Sequence, residues 1–288
     1  MRLVIVTDLD GTLLDAATRA LGPAEAVVGR VVRAGVPLVL SSSKTRAEIE
    51  ALQRQLGLAQ PFIAENGGAI VAPPGSFADG RPAPAGADGR FVIELGRPYR
   101  EVVAIVREAA EAEGVRVVGF SDMTVGDLAA DSGLSPLEAQ LAKLREYDEP
   151  FRLIDADTAA RRRFLKALRR RGLQAVAGGR YDHAMGDTDK GRAVEVLRGL
   201  YRDRIGPVVL AGLGDAMNDL PILRAVDHPV IVRGTSDDST VRLLRQVPDA
   251  RVTQARGPAG WAEAVTAMLD AWEGNAVRVP PRFWPGLA

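Results

Sequence analysis

Two aspartates, Asp8 and Asp10, close an apolar run in the stretch LVIVTDLDGTLLD. Like charges at that spacing repel each other, so a chain that puts them at the end of a buried run needs something to offset them. A second acidic turn, Gly214-Asp215-Ala216-Met217-Asn218-Asp219, closes a second apolar run, VVLAGLG, far along the chain. Asp8, Asp215 and Asp219, with a backbone carbonyl, offer oxygen donors only. That set suits a hard cation that keeps some of its water, and points to Mg²⁺. Zinc is disfavoured, because the chain has no cysteine and its two histidines, His183 and His228, are far apart.

A carboxylate beside a cation, with hydroxyl and ammonium groups near it, suits phosphoryl transfer. Asp8 can attack phosphorus and form an aspartyl-phosphate. Asp10 can protonate the leaving alkoxide and later take a proton from the water that hydrolyses the intermediate. Each such acid–base role is worth roughly 10²–10⁴ in rate.

The elements that must position these groups follow from periodicity. Strands are expected at 3–6, 36–40 and 61–71, the last with a turn inside it, and helices at 23–34 and 46–56. The apolar strand at 207–214 and the strand at 228–232 restore this pattern late in the chain, with helices at 190–201, 220–225 and 260–272. Continuous apolar strands separated by helices imply a parallel sheet covered on both faces. In such sheets ligands bind at the carboxyl ends of the strands. Asp8, Asp10, Ser42, Asp215 and Asn218 all follow strand ends, so the sheet would deliver them to one edge.

Between these parts the pattern changes. Residues 72–90 are rich in Pro, Gly and Ala and read as a linker. Beyond them come strands at 91–95, 115–120 and 151–154, helices at 99–113, 124–130, 136–147 and 158–171, and a hairpin over 173–185. This is an α+β module set into the first domain. The expected limits are 1–84 and 187–288 for an α/β, Rossmann-like core and 85–186 for the insert. The proline-rich tail 277–288 cannot be a regular helix, and its Phe283 and Trp284 are expected to pack against the surface.

Composition limits the partners. The chain has 288 residues, 37 acidic and 37 basic, and an apolar fraction of 47%, ample for a core. Zero formal net charge argues against a general nucleic-acid or membrane-surface binder. The N-terminal apolar run is too short for a signal peptide, and no stretch reaches the roughly 20 apolar residues a membrane span requires. A cytoplasmic protein acting on a small molecule is expected; nothing in the sequence speaks to oligomeric state.

The motifs, taken together, resemble the haloacid dehalogenase superfamily. Asp8-Leu9-Asp10-Gly11-Thr12 looks like its first motif, Ser42 like the hydroxyl of its second, Lys190 like the lysine of its third, and Gly214 through Asp219 like its fourth. The resemblance implies Asp8 as nucleophile and Asp10 as acid/base, with Lys190 beside the phosphate. It implies Asp8, the Asp10 carbonyl, Asp215 and Asp219 as Mg²⁺ ligands, with Asn218 bracing the site. An insert between the second and third motifs resembles the type IIB branch, whose cap is of the C2B kind. Ser41-Ser42-Ser43-Lys44, Glu65-Asn66-Gly67-Gly68 and the run from His183 to Gly191 resemble the mannosyl-3-phosphoglycerate phosphatases. That likeness implies hydrolysis of a phosphorylated sugar-glycerate in compatible-solute synthesis. Ser42, Ser43 and Lys44 are then candidates for the phosphate or carboxylate, Glu65 and Asn66 for hydroxyls, and Arg180 for a bidentate carboxylate clamp.

Blander readings compete residue by residue. Asp and Gly favour turns, Asn66-Gly67 favours a hairpin, one of the three serines can cap a helix, and a lone lysine is normally solvated. The arginine runs 161–163 and 169–171 read as the wet face of a helix. A broader sugar-phosphate phosphatase accepting the glucosyl analogue, a sugar phosphomutase and a non-catalytic phospholigand binder are the rival functions. An acid/base at Asp10 is superfluous for binding alone.

Overall fold

The computed structural model describes residues 2–77 and 89–273. The chain runs through β1 (Arg2–Thr7), α1 (Ala24–Arg33), β2 (Leu38–Ser41), α2 (Arg46–Leu56), β3 (Phe62–Ala64), β4 (Ala69–Ala72) and β5 (Phe91–Glu94). It continues with α3 (Tyr99–Glu113), β6 (Arg116–Gly119), α4 (Val125–Ser132), α5 (Pro136–Ala142), β7 (Asp148–Ile154), α6 (Thr158–Arg170), β8 (Gln174–Ala177) and β9 (Asp182–Met185). The last elements are α7 (Lys190–Ile205), β10 (Val208–Gly214), α8 (Leu220–Ala225), β11 (His228–Arg233), α9 (Asp237–Gln246), β12 (Arg251–Arg256) and α10 (Gly257–Glu273). Contacts group these into two units: among the described residues, 2–41, 77 and 194–273 form the first, and 42–76 and 89–193 the second. The architecture is α/β, with a Rossmann-like core and an inserted α+β part.

The first unit is built on five parallel strands in the order β12-β11-β10-β1-β2. Val4, Ile5 and Val6 of β1 and Leu210, Ala211 and Leu213 of β10 are fully buried, as strands covered on both faces require. Alternate residues of β11 serve opposite faces: Ile231 packs with Leu223 and Leu243 of α8 and α9, while Val230 lines a small gap with Ala264 and Met268 of α10. The chain leaves β1 toward β2, and later leaves β10 in the opposite direction, toward β11. The order therefore reverses between β1 and β10, the place where open α/β sheets bind ligands.

The second unit carries a four-stranded antiparallel sheet, β6-β7-β9-β8. Val102, Val106 and Ala109 of α3 and Phe164, Ala167 and Leu168 of α6 bury against Phe151 and Ala184 of β7 and β9. It also holds the antiparallel run β3-β4-β5. The strand expected at 61–71 is thus a hairpin whose turn is a 3₁₀ turn, Glu65–Gly67. β5, assigned from sequence to the insert, pairs with β4 through Ala69↔Glu94 and Val71↔Val92.

Two further details differ from expectation. The helix expected at 136–147 stops at Ala142, and β7 starts at Asp148 rather than Phe151, because the intervening polar residues are drawn into a buried ion cluster described below. Helix α9 and strand β12 carry too many charges for their apolar periodicity to stand out. The expected boundary at 84/85 and the proline-rich tail 277–288, with Phe283 and Trp284, lie outside the described residues.

Candidate active site

The paired strands β1 and β10 bring the two acidic turns together. Thr7 lies beside Leu213 in the ladder, and the Asp8 amide donates to the Leu213 carbonyl at 2.9 Å. Asp8 and Asp215 therefore leave the sheet side by side. A 3₁₀ turn, Met217–Asp219, folds Asp219 back, and its Oδ2 accepts from the amides of Asp215 and Ala216, each at 3.2 Å. Carboxylate oxygens of Asp8, Asp215 and Asp219 all lie within 4.8 Å of one another. Asp8 and Asp219 are buried and Asp215 is partly buried. Three carboxylates at this separation, with no nitrogen or sulfur donor in the set, fit a hard divalent cation.

Small groups and hydroxyls shape the surroundings of Asp215. Thr12 Oγ1 donates to Asp215 Oδ1 at 3.0 Å, and Ser239 Oγ donates to the Asp215 carbonyl at 2.9 Å. A Cβ on Gly11 would stand 2.6 Å from Asp215 Oδ2, and one on Gly234 would stand 2.8 Å from it. Gly11 also has φ +89°, which side chains rarely adopt. Asp10 is exposed in the turn that Gly11 and Leu14 close, the Gly11 amide donating to the Leu14 carbonyl at 2.8 Å. Behind the turn, Trp261 of α10 is fully buried and donates from Nε1 to Thr7 Oγ1 at 2.9 Å; Thr7 in turn donates to the Asp8 carbonyl at 2.8 Å. Asn218 is half-buried within the 3₁₀ turn.

The remaining candidates lie in the second unit. Ser42 is 1% exposed. Its amide donates to Ile63, its carbonyl accepts from the Asn66 amide at 2.9 Å, and its Oγ accepts from the Lys44 amide at 3.2 Å. The Lys44 carbonyl accepts from the Glu65 amide at 3.0 Å. Thr45, not one of the serines, caps α2, in a capping box with Glu48. Lys190 is 1% exposed at the start of α7, against the usual solvation of a lysine. The Glu65–Gly67 turn reaches this helix start: Thr188 Oγ1 donates to the Gly67 carbonyl at 2.9 Å, and a Cβ on Gly67 (φ +97°) would stand 2.2 Å from the Asp189 carbonyl oxygen. So Ser42, Ser43, Lys44, Glu65 and Asn66 share one neighbourhood, and the 65–67 turn ties it to the start of α7.

Glu65 and Arg180 are engaged within the unit. The fully buried Glu65 carboxylate accepts from the amides of Glu146, Tyr147 and Asp148 at 2.8–2.9 Å. Burial pushes its pKa up to about 7, although the Arg145 guanidinium opposes this. Arg180 is exposed in the β8–β9 turn and donates to the Asp131 carbonyl.

Arg145 and Asp148 escaped the sequence reading. The Arg145 guanidinium is buried, bonds the Asp148 carboxylate and carbonyl, and donates from Nη2 to the Ser43 carbonyl at 2.8 Å. The stretch Arg145-Glu146-Tyr147-Asp148-Glu149-Pro150 looks solvated because most of it is charged. Its one clue was the proline, which ends a helix.

The chain was compared with known proteins. A family model described as haloacid dehalogenase-like hydrolase matches residues 5–78. A protein of Methanococcoides burtonii named glucosyl-3-phosphoglycerate/mannosyl-3-phosphoglycerate phosphatase is 38% identical over 93% of this chain and 98% of its own. One of the same name from Persephonella marina is 34% identical over 94% and 98%. Among solved structures, a haloacid dehalogenase-like hydrolase from Bacteroides thetaiotaomicron aligns over 93% of this chain and all of its own with a TM-score of 0.63 at 18% identity, a likeness of fold.

Proposed function

We propose, from the premise that the chain belongs to the haloacid dehalogenase-like hydrolases and is a phosphoric monoester hydrolase, that it removes phosphate from a glycosyl-3-phosphoglycerate. Mannosyl-3-phosphoglycerate is the substrate we favour, with the glucosyl analogue as the second. The names of the two relatives support both sugars. The product would be the glycosylglycerate of compatible-solute synthesis in the cytoplasm. Among the described residues, no helix is long and apolar enough to cross a membrane.

The observation that carries the reading is the meeting of Asp8 with Asp215 and Asp219 at the ends of adjacent strands. Asp8, Asp215, Asp219 and the Asp10 carbonyl are our candidates to hold Mg²⁺, which would offset the negative charge of the phosphate ester. A carboxylate oxygen of Asp8 forms a bond to phosphorus while the ester P–O bond breaks. Asp10, exposed beside it, gives its proton to the departing alkoxide. Asp10 then accepts a proton from water as that water's oxygen bonds to phosphorus. The bond to Asp8 breaks, and inorganic phosphate leaves. From the order of the motifs we assign Ser42, Ser43, Lys44, Lys190 and Asn218 to phosphate or carboxylate oxygens, and Arg180 to a carboxylate. Within the second unit Asn66 is better placed than Glu65 for a ligand, since Glu65 already accepts three backbone amides.

Phosphate release from mannosyl-3-phosphoglycerate, glucosyl-3-phosphoglycerate and mannose-6-phosphate tests this. With Mg²⁺ present, kcat/KM for a glycosyl-3-phosphoglycerate should exceed that for mannose-6-phosphate at least about tenfold, and EDTA should abolish it. A preference for mannose-6-phosphate would overturn the substrate. Full turnover in EDTA would overturn the metal.

A further inference from the structure

Asp148 opens β7 with its carboxylate fully buried. Arg145 bonds one oxygen. The other is 3.0 Å from Asn66 Nδ2 and 3.1 Å from His183 Nδ1. The guanidinium beside it keeps Asp148 ionised, and an ionised carboxylate only accepts. The amide NH₂ of Asn66 must therefore face Asp148, which turns Oδ1 the other way. Asn66 is 3% exposed, and its Oδ1 has no hydrogen-bond partner among the described residues. A buried acceptor in that state is unfavourable unless a ligand supplies a donor.

The surroundings fix this side chain further. Glu65 and Asn66 have φ +48° and +56°, so two successive residues with side chains occupy the left-handed region. They are held there by the three amides on Glu65 and by the bond from the Asn66 amide to the Ser42 carbonyl. Asn66 is thus tied by its backbone to Ser42, the residue assigned above to phosphate, in a conformation it cannot easily change.

We propose that Asn66 determines specificity by accepting a hydrogen bond from a hydroxyl of the organic group esterified to phosphate, with Asp148 and His183 as the positioning residues that hold its amide in that sense. This rests on the phosphomonoesterase reading of the site. It predicts a substrate with a hydroxyl donor close to the phosphate-binding end. It also predicts rejection of the deoxy analogue, because the buried oxygen would then stay unpaired.

The experiment compares kcat/KM for glucosyl-3-phosphoglycerate and its 2-, 3-, 4- and 6-deoxyglucosyl analogues in the wild type, Asn66→Gly and Asp148→Asn. Glycine tolerates φ +56° and removes only the amide. In the wild type one deoxy analogue should lose roughly tenfold to hundredfold. In Asn66→Gly that penalty should fall below about threefold while the others persist, and in Asp148→Asn it should shrink, because the amide can then turn over. An equal loss for parent and every analogue in Asn66→Gly would overturn the proposal. An undiminished penalty in Asp148→Asn would overturn the positioning role. If Asp148→Asn does not fold, His183→Leu and His183→Gln take its place. Leu should raise KM about fivefold at constant kcat and Gln, which supplies a donor, should restore it; equal effects would overturn that role. If the wild type hydrolyses only mannosyl-3-phosphoglycerate, the deoxymannosyl analogues replace these; if it hydrolyses neither ester, the substrate reading has failed by itself. The same deoxy comparison then runs on whichever sugar phosphate ester gives the highest kcat/KM.

Discussion

The protein gathers buried carboxylates in two places, with different construction. In the first unit, three carboxylates lie within 4.8 Å, a threonine hydroxyl and backbone amides are among their donors, and glycines flank the middle one. In the second unit, Glu65 and Asp148 close on the Arg145 guanidinium, with backbone amides and Asn66 completing the cluster. The second cluster contains its own cation. The first has the oxygen donors to receive one, and at Gly11 and Gly234 the backbone comes so close to Asp215 that a side chain would collide with its carboxylate. On the proposed function, the same residue type serves chemistry where the cluster holds no cation of its own, and architecture where a guanidinium is built in.

Removing one charged group from each cluster should separate the two uses. Asp8→Ala should lower kcat at least about 10⁴-fold in a phosphate-release assay while leaving the melting temperature near that of the wild type, since it removes the proposed attacking atom. Asp10→Asn should cost roughly 10²–10⁴ by the same assay. In the other cluster, Arg145→Met leaves Asp148 and Glu65 buried without their counter-charge. A loss of about 3–5 kcal/mol in denaturant unfolding is expected. A stable Arg145→Met protein, or an unstable Asp8→Ala protein, would break the contrast.

The contrast also explains what could be read from the sequence. Asp8 and Asp215 were legible because each follows an uninterrupted apolar run, which fixes its place at a strand end. The pairing of those strands then follows from a parallel sheet. Lys190 was legible only through motif order; no local pattern says that a helix-start lysine is buried. Arg145 and Asp148 were not legible. Their burial depends on Glu65, some eighty positions earlier (Asp148 N to Glu65 is a separation of 83), and a charged stretch looks solvated whatever it meets in space. Trp261 reads as a core residue, but its bond to Thr7 spans 254 positions. Helix α9 and strand β12 failed for a simpler reason: α9 buries only Thr240 and Leu243 and β12 only Thr253, too few apolar positions for a single-sequence pattern.

A smaller effect sharpens the first half of the comparison. Gly234→Ala places a Cβ 2.8 Å from Asp215 Oδ2 without changing any proposed ligand. The concentration of Mg²⁺ giving half-maximal activity should rise roughly tenfold, in the range found when groups that orient metal ligands are disturbed, with saturated kcat nearly kept. Unchanged Mg²⁺ dependence would mean that Gly234 is a loop glycine whose closeness to Asp215 does not bear on the metal.

The second half of the comparison is tested by pH. Burial raises Glu65 from an ordinary value of 4.5 to about 7 in the folded protein, so the folded state binds its proton more tightly than the unfolded chain does. That contribution to stability is fully present below pH 4.5 and disappears as pH rises through about 7. Asp148 works in the other sense. Burial pushes its pKa up, but the Arg145 guanidinium, His183 and the bonds from His183 and Asn66 together bring it below 3.8, so its contribution is present above that value and lost in stronger acid. Between pH 4.5 and 7 only Glu65 of this pair should change state. Unfolding free energy from denaturant titrations should therefore show a fall of about 1–3 kcal/mol across that window that is missing in Glu65→Gln. If the two proteins lose stability in parallel, the three amides and Arg145 already hold Glu65 ionised, and the cluster is a plain ion pair whose pH response lies wholly in the acid range set by Asp148.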